Sequence, residues 1–345
     1  MQVHDPRTYR RIVLEGSLGL GEAYMDGWWD SPRLDQFFTT LLTGDIKSVA
    51  DTRWPVLALT VKALLKNCQS QKRAFQVGEE HYDLGNDLYE AMLDSRMIYT
   101  CAYWKNAQTL DEAQEAKLDL VCRKVGLKPG MKVLDVGCGW GGFAQFAAER
   151  YGADVVGITI SREQAELARR RCEGLPVEIR LEDYRDCRSQ FDRVISLGMM
   201  EHVGQRNYRT YMQMIHDCLK PGGLALIQVC GSRCSNRTTD PWLDKYIFPN
   251  SMLPSANQIG KAIDGLLHMQ DWHAFGRYYD RTLMAWHDNF EQAWGELSQK
   301  YSERFYRMWN YYLLLCAGIF RSGEAQLWQV VLSRGVLPDV YEAVR

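Results

Sequence analysis

The sequence lacks any stretch that is long and apolar enough to cross a membrane or to direct secretion. Residues 1–11 contain no apolar core of signal-peptide length. The longest apolar stretch, residues 311–320, is shorter than the roughly 20 residues that a membrane-spanning helix needs. We therefore expect a protein that remains in the compartment where it is made.

Cysteines at the spacings of a disulfide framework or a zinc site are also absent. The ten cysteines are scattered, and Cys230 and Cys234 have no second cysteine or histidine pair. Neither kind of site is indicated, and no metal is predicted. This cysteine usage favours a reducing cytoplasm.

An excess of positive charge is missing as well. The formal net charge is −2 at pH 7, whereas a nucleic-acid-binding domain is usually strongly basic, so no nucleic-acid partner is expected. One small cluster of basic residues has two interpretations: it contacts anionic lipid headgroups, or it is an ordinary solvated helix face. It consists of Lys62, Lys66, Lys72 and Arg73.

Between about residues 128 and 229, short apolar runs alternate with amphipathic stretches. This alternation is typical of an α/β fold with a doubly wound parallel sheet. Helices are predicted at 143–151 and from about Ser161, whose hydroxyl can cap the second helix. The predicted strands are 132–136, 154–160, 177–181, 191–197 and 224–229.

The regions on either side of this sheet divide the chain further. After residue 230 the alternation breaks, and the later elements are two aromatic-rich helices and a closing strand, at 281–298, 302–320 and 326–334. We expect a small amino-terminal domain, a mostly polar linker and a main domain that carries an insertion. The small domain spans 1–61, the linker 62–80 and the main domain 81–345, and the insertion lies at about 231–320.

A glycine-rich run at 133–142 joins the first strand to the first helix. Glycines let the backbone turn sharply there and let a ligand lie beside the positive end of the helix. Gly137, Gly139 and Gly142 also satisfy the weak dinucleotide-binding pattern. Asp135 would repel a pyrophosphate but suits the cationic amino and sulfonium groups of S-adenosylmethionine, so this cofactor is favoured.

Further cofactor-binding residues are predicted where successive strands end. The second strand ends without the acidic residue that holds the ribose of NAD, whereas Thr159 and Gln164 can hydrogen-bond a ribose. Asp183 and Tyr184 offer a polar group and a ring to an adenine. For each residue the alternative is a role in stabilising the loop. The predicted set is Asp135, Gly137, Cys138, Gly139, Thr159, Ile160, Ser161, Gln164, Asp183 and Tyr184.

Six segments, together with the glycine-rich run at 16–29, resemble the cyclopropane fatty-acyl-phospholipid synthase family and its mycolic-acid relatives. The match runs over nearly the whole chain. Because the first shared segment begins near Met1, one interpretation is that an upstream segment is missing from this sequence. The six segments are 81–86, 99–104, 198–204, 240–250, 280–286 and 326–331.

The resemblance implies a class I S-adenosylmethionine-dependent methyltransferase with a smaller amino-terminal lipid-binding domain. Its substrate would be membrane phospholipid with cis-unsaturated acyl chains, and its product a cyclopropane. The enzyme would be cytoplasmic, peripheral to the inner face of the membrane, and dimeric. Tyr82, in the first segment, would contact the cofactor.

The resemblance also implies how a proton is lost before the ring closes. A bound bicarbonate would take it, held by Glu201, Tyr279, the side chain of Gln228, and backbone groups at Cys101 and Cys230. Independently of the resemblance, a carboxylate at Glu201 in apolar company needs a partner, although a helix-capping role is the alternative. Cys316 lies where the family has a cysteine once proposed as an active-site thiol, and inert packing is its alternative.

The chain departs from the family at two positions of the fifth strand. The family usually has a histidine where this chain has Gln228, and a branched apolar residue where it has Cys230. Glutamine can donate a hydrogen bond to bicarbonate but cannot carry a proton. Other hypotheses therefore stay open: a methylated rather than cyclopropane product, a soluble acceptor, or a lipid-binding protein without turnover.

Overall fold

The computed structural model describes residues 1–44, 85–235 and 238–345. Its strands form a two-stranded ribbon near the amino end and a seven-stranded sheet. In chain order they are β1 (Gln2–Val3), β2 (Trp29–Asp30), β3 (Lys132–Val136), β4 (Asp154–Thr159), β5 (Val177–Leu181), β6 (Phe191–Leu197), β7 (Leu219–Ser232), β8 (His268–Ala274) and β9 (Ala325–Ser333).

The large sheet has the order β5-β4-β3-β6-β7-β9-β8. The strands from β5 to β7 are parallel, and β9 pairs antiparallel with both β7 and β8. The doubly wound α/β sheet predicted from the sequence is therefore confirmed. Its order reverses direction beside β3, which is where ligands bind in open sheets of this kind.

Helices cover both faces of the sheet and form the region beside it. Those of the described residues are α1 (Arg7–Glu15), α2 (Ser17–Met25), α3 (Leu34–Thr43), α4 (Asn86–Met92), α5 (Leu110–Lys124), α6 (Gly142–Tyr151), α7 (Arg162–Arg171), α8 (Met200–Val203), α9 (Tyr208–Cys218), α10 (Pro241–Tyr246), α11 (Ala256–Ile263), α12 (Arg277–Leu297) and α13 (Glu303–Ser322). None of them is long and apolar enough to cross a bilayer.

Alternate residues of each strand fill two separate cores, as a sheet covered on both faces requires. Leu134 and Val136 of β3 pack on the side of α9 and α11. Val133 packs on the opposite side, with α5 and α6. These two layers fix the strand ends and thereby the residues that follow them.

Two predictions about the sheet need correction. The segment of β8 was assigned to the insertion, yet it pairs with β9 along the edge of the sheet. Its sequence, HMQDWHA, lacks a continuous apolar run because an edge strand is only partly covered. The fifth strand is also longer than the predicted 224–229, because Gly222 and Gly223 bond through their backbones to Arg334.

The amino-terminal region shares its core with the main domain. Trp242 of α10 is fully buried and packs so closely on Gly21 that a Cβ there would lie 2.3 Å from the indole. Glu22 of α2 accepts hydrogen bonds from Lys245 at 2.5 Å and from the Tyr246 hydroxyl at 2.8 Å. The predicted boundary at residue 61, the linker at 62–80 and the cluster of basic residues lie outside the described residues.

Truncating Trp242 to Ala is expected to lower the free energy of unfolding by about 3–5 kcal/mol, because a fully buried indole leaves a large cavity. Chemical denaturation followed by circular dichroism measures the change. Val340→Ala, at a side chain that is 90% exposed, is the control and should change stability very little. Equal stabilities for the two variants would contradict the shared core.

Candidate active site

One cavity of about 290 Å³ opens where the parallel strands end. Every predicted site residue in the described part of the chain lines it, whether predicted for the cofactor or for catalysis. Tyr82 lies outside the described residues. The fold thus brings together side chains that are up to about two hundred positions apart in the sequence.

The part of the cavity predicted to bind the cofactor begins with the glycine-rich turn after β3. Gly137 has a φ of 78°, a left-handed conformation that side chains other than glycine's rarely adopt. A Cβ on Gly142, the first residue of α6, would lie 2.3 Å from the carbonyl oxygen of Arg96. Glycine is therefore required here both for the turn and for close packing.

Asp135, at the end of β3, places a buried carboxylate in this part of the cavity. Its Oδ2 atom has no hydrogen-bond partner. Burial raises the pKa of Asp135 to about 7, and the Lys117 cation acts in the opposite direction. A buried acid with an unpartnered oxygen fits a cationic group, such as the ammonium or sulfonium of S-adenosylmethionine.

The other residues predicted to bind the cofactor also stabilise their own loops. The Ser161 hydroxyl caps α7 by accepting a hydrogen bond of 3.3 Å from the backbone amide of Gln164, which confirms the predicted cap. The Thr159 hydroxyl donates to Oε1 of Gln164 at 3.0 Å. The Asp183 carboxylate accepts from the backbone and guanidinium of Arg185 at 2.9 and 3.0 Å. These contacts hold polar side chains at the cavity wall.

Glu201 lies in α8, directly after β6. Its Oε1 accepts a hydrogen bond of 2.7 Å from the backbone amide of Cys230, while Oε2 has no partner. Burial raises the pKa of Glu201, and the bond from Cys230 only partly opposes this. A carboxylate with one fixed and one unpartnered oxygen can accept a further hydrogen bond from a small ligand.

Gln228 and Tyr279 also line the cavity. The amide nitrogen of Gln228 donates to the backbone carbonyl of Cys101 at 3.4 Å. The ring of Tyr279 packs at 4.6 Å from that of Phe320, and burial holds its pKa well above the usual range. Tyr279 is therefore a neutral phenol at physiological pH, suited to donating a hydrogen bond rather than to acting as a base.

The cysteines of the cavity are poor nucleophiles. Burial raises the pKa of Cys316 to about 12 and also raises those of Cys101 and Cys230. Because the thiolate is the reactive form of cysteine, these side chains stay protonated and unreactive at neutral pH. This chemistry favours the packing role of Cys316 over a catalytic one.

Sequence reasoning missed the residues that fix the cavity wall at 98–104. Gln114 donates to the carbonyls of Ile98 and Thr100 at 3.3 and 2.9 Å, and Lys117 donates to the Thr100 hydroxyl at 2.8 Å. Thr282 accepts from the backbone of Ala102 at 3.1 Å. The one available signal in the sequence was the occurrence of two polar residues, Gln114 and Lys117, three positions apart on the apolar face of α5.

His202 is a second residue of the cavity that the sequence did not single out. It follows Glu201 and lines the same wall. Burial lowers the pKa of His202 to about 4, so its imidazole is neutral at physiological pH. The described residues contain no group of three or more potential metal ligands.

Comparison with known proteins identifies the family. Residues 69–330 match the family described as mycolic acid cyclopropane synthetase. The cyclopropane-fatty-acyl-phospholipid synthase of Escherichia coli strain K12 is 53% identical over 336 residues, covering 97% of this chain and 88% of that protein. The chain belongs to this family.

Other members of the family agree with this assignment. Tuberculostearic acid methyltransferase UfaA1 of Mycobacterium tuberculosis is 35% identical, covering 96% of this chain and 82% of that protein. A crystal structure of the mycolic acid cyclopropane synthase CmaA1 complexed with SAH and CTAB superimposes with a TM-score of 0.71. It is 29% identical and covers 75% of this chain and 98% of CmaA1. The fold is that of a class I S-adenosylmethionine-dependent methyltransferase, as predicted.

Proposed function

We propose that the chain is a cyclopropane-fatty-acyl-phospholipid synthase that uses S-adenosylmethionine to add a methylene to a cis double bond of a phospholipid acyl chain. One observation carries the proposal. The same cavity is lined by the buried acid Asp135, by the glycine-rich turn, by the buried Glu201 and by apolar side chains. The 53% identity to the Escherichia coli synthase supports the same activity.

The residues predicted to bind the cofactor fit S-adenosylmethionine. Asp135 would hold its cationic part, and the turn at Gly137 and Gly139 would let it lie against the backbone. Thr159, Gln164 and Asp183 offer polar groups to its nucleoside. Bound S-adenosylmethionine would supply an electrophilic methyl group for the alkene to attack.

The rest of the cavity fits a hydrocarbon chain. Leu243, Phe248, Leu253 and Ile319 line it, together with the ring of Tyr312. An alkene needs no base to start the reaction, so the enclosure has only to exclude water and align the double bond. The aromatic faces of Tyr99 and Tyr279 can stabilise positive charge that develops there.

Removal of the proton then requires an acceptor near the new methyl group. We propose that bicarbonate supplies it, held by the side chains of Glu201, Gln228 and Tyr279 and by backbone groups at Cys101 and Cys230. The unpartnered oxygen of Glu201 supports this site, since a buried carboxylate oxygen needs a hydrogen-bond donor. The neutral phenol of Tyr279 provides a donor for an anion.

The setting of the reaction is also part of the proposal. A phospholipid substrate requires contact with the membrane surface, and we propose that the protein binds there peripherally from the cytoplasm. The amino-terminal region, which packs on α10 beside the cavity residue Leu243, is then placed to contribute to lipid binding. A homodimer stays a prediction.

The proposal is tested by incubating the protein with S-adenosylmethionine, bicarbonate and liposomes of cis-unsaturated phospholipid. Mass spectrometry of the released fatty esters should show the gain of one methylene and the loss of the alkene. Methyl-branched or alkene-methylated esters would support a second candidate function, a methyltransferase whose product is methylated rather than a cyclopropane. The absence of a proton-carrying side chain at Gln228 favours this candidate. Methylation of soluble acceptors alone, or cofactor binding without any product, would overturn the proposal.

Replacing Gln228 with His is expected to maintain or raise the rate of product formation. Imidazole can donate to bicarbonate as the amide does and can also carry a proton. The initial rate in the liposome assay measures the effect, with Gln213→His on the exposed face of α9 as the control. A large fall in rate would mean that the glutamine is itself adapted to this site.

A further inference from the structure

Gln329 lies directly opposite Gln228 in the antiparallel pairing of β7 with β9. Both side chains are almost completely buried, with 0% exposure for Gln329 and 1% for Gln228. The amide nitrogen of Gln329 donates to Oε1 of Gln228 at 2.9 Å. Gln329 does not line the cavity, so any influence on the reaction must pass through Gln228.

The partners of Gln228 determine which way its amide points. The Cys101 carbonyl, 3.4 Å away, can only accept a hydrogen bond, so the group of Gln228 that faces it must be the NH₂. Its Oε1 then points away from Cys101 and needs a donor, because a buried carbonyl is rarely left unpaired. Gln329 is that donor.

In this arrangement one polar atom of Gln329 itself remains unpaired. Its Oε1 is buried and has no hydrogen-bond partner. A residue that served only to stabilise the sheet would be better replaced by an apolar side chain, since a buried unpaired oxygen is unfavourable. The contact with Gln228 is therefore the feature that accounts for a glutamine at this position.

We propose that Gln329 is a positioning residue: by donating to Oε1 of Gln228 it keeps the Gln228 NH₂ group turned toward the cavity, where it is available to an anion beside Glu201. The inference rests on the proposed bicarbonate site and deepens it. The Gln228 side chain is a neutral amide, and an amide presents an acceptor in place of a donor when it is turned round. Orientation therefore decides whether the site attracts or repels an anion.

The test is the substitution Gln329→Glu, assayed at about pH 8.5 so that the introduced carboxyl is ionised despite its burial. It then replaces the donor with an acceptor of nearly the same shape. The Gln228 amide should then turn its NH₂ toward the introduced carboxylate and its carbonyl toward the cavity. We expect the half-saturating concentration of bicarbonate to rise about tenfold or more, which corresponds to the loss of one hydrogen bond to a charged group. The rate at saturating bicarbonate should change less.

The measurement uses the purified full chain, S-adenosylmethionine and unsaturated phospholipid liposomes in buffer freed of carbon dioxide, with bicarbonate added back. Affinity for S-adenosylhomocysteine and the unfolding midpoint are measured in parallel. Gln326→Glu is the matched control, since Gln326 lies on the same strand outside the cavity and uses its Oε1 to accept from Trp328. It should leave the bicarbonate dependence unchanged.

Two further variants separate positioning from stability. Gln329→Met removes the donor without adding charge, and it should raise the bicarbonate requirement less than Gln329→Glu does. In the double variant Gln228→His with Gln329→Glu, the introduced carboxylate favours the imidazolium form of the histidine, whose two ring nitrogens can donate to that carboxylate and to the anion together. The bicarbonate requirement of the double variant should therefore return toward that of the wild type.

A wild-type bicarbonate dependence in Gln329→Glu would overturn the role of Gln329 alone. So would a loss of folding in that variant combined with wild-type bicarbonate dependence in Gln329→Met. A wild-type enzyme whose rate does not depend on bicarbonate would overturn the proposed bicarbonate site itself, and the positioning role with it.

Discussion

Replacing Glu201 with Gln is expected to reduce product formation by about 100-fold to 10,000-fold, the usual range when a group required for proton transfer is removed. The Glu201 carboxylate has one oxygen fixed by Cys230 and one without a partner. Glutamine keeps the shape but presents an NH₂ where an acceptor is needed. Affinity for S-adenosylmethionine should change little, because we assign the cofactor's cationic part to Asp135 and the glycine-rich turn and not to Glu201.

Two measurements check this prediction. Mass spectrometry of the fatty esters gives the rate, and equilibrium dialysis gives the affinity for S-adenosylmethionine. Glu296→Gln is the control, since Glu296 is exposed on α12 away from the cavity. Unchanged product formation in Glu201→Gln would contradict the role of Glu201 in proton removal.

Replacing Asp135 with Asn is expected to weaken S-adenosylmethionine binding by about tenfold to 100-fold. A hydrogen bond between charged groups contributes about 1.5–3 kcal/mol, and the amide cannot provide the charge. Isothermal titration calorimetry measures the affinity. Asp154→Asn, exposed at the start of β4 and thus at the opposite edge of the sheet, is the control. Equal affinities for all three proteins would show that Asp135 does not contact the cofactor.

Binding to the wild type should also depend on pH. Because burial raises the pKa of Asp135 to about 7, the free protein loses this carboxylate charge as the pH falls below 7. A cationic ligand binds the ionised form, so affinity should fall about tenfold between pH 8 and pH 6. Asp135→Asn should lose this dependence, and titration of the ligand itself affects both proteins equally. The same slope in both would contradict the prediction.

The sequence by itself determined the parallel strands of the sheet and the glycine-rich turn after β3. Short apolar runs separated by amphipathic stretches specify parallel strands, and β3, β5 and β6 lie where they were predicted. The spacing of Asp135 from Gly137 pointed to a cationic nucleotide ligand. These features are local, since a period, a turn or a charge beside a glycine can be recognised within about ten residues.

Only the tertiary structure decided which distant residues act on the site. The edge strand β8 is held by β9 rather than by its own sequence pattern. Gln114 and Lys117 of α5 fix the cavity wall at 98–104 through hydrogen bonds. Gln329 donates to Gln228, which is 101 positions away in the sequence. The unpartnered oxygens of Asp135 and Glu201 are likewise visible only once the chain has folded. The reason is physical: a hydrogen bond between buried side chains depends on the packing of whole elements, which no local pattern encodes.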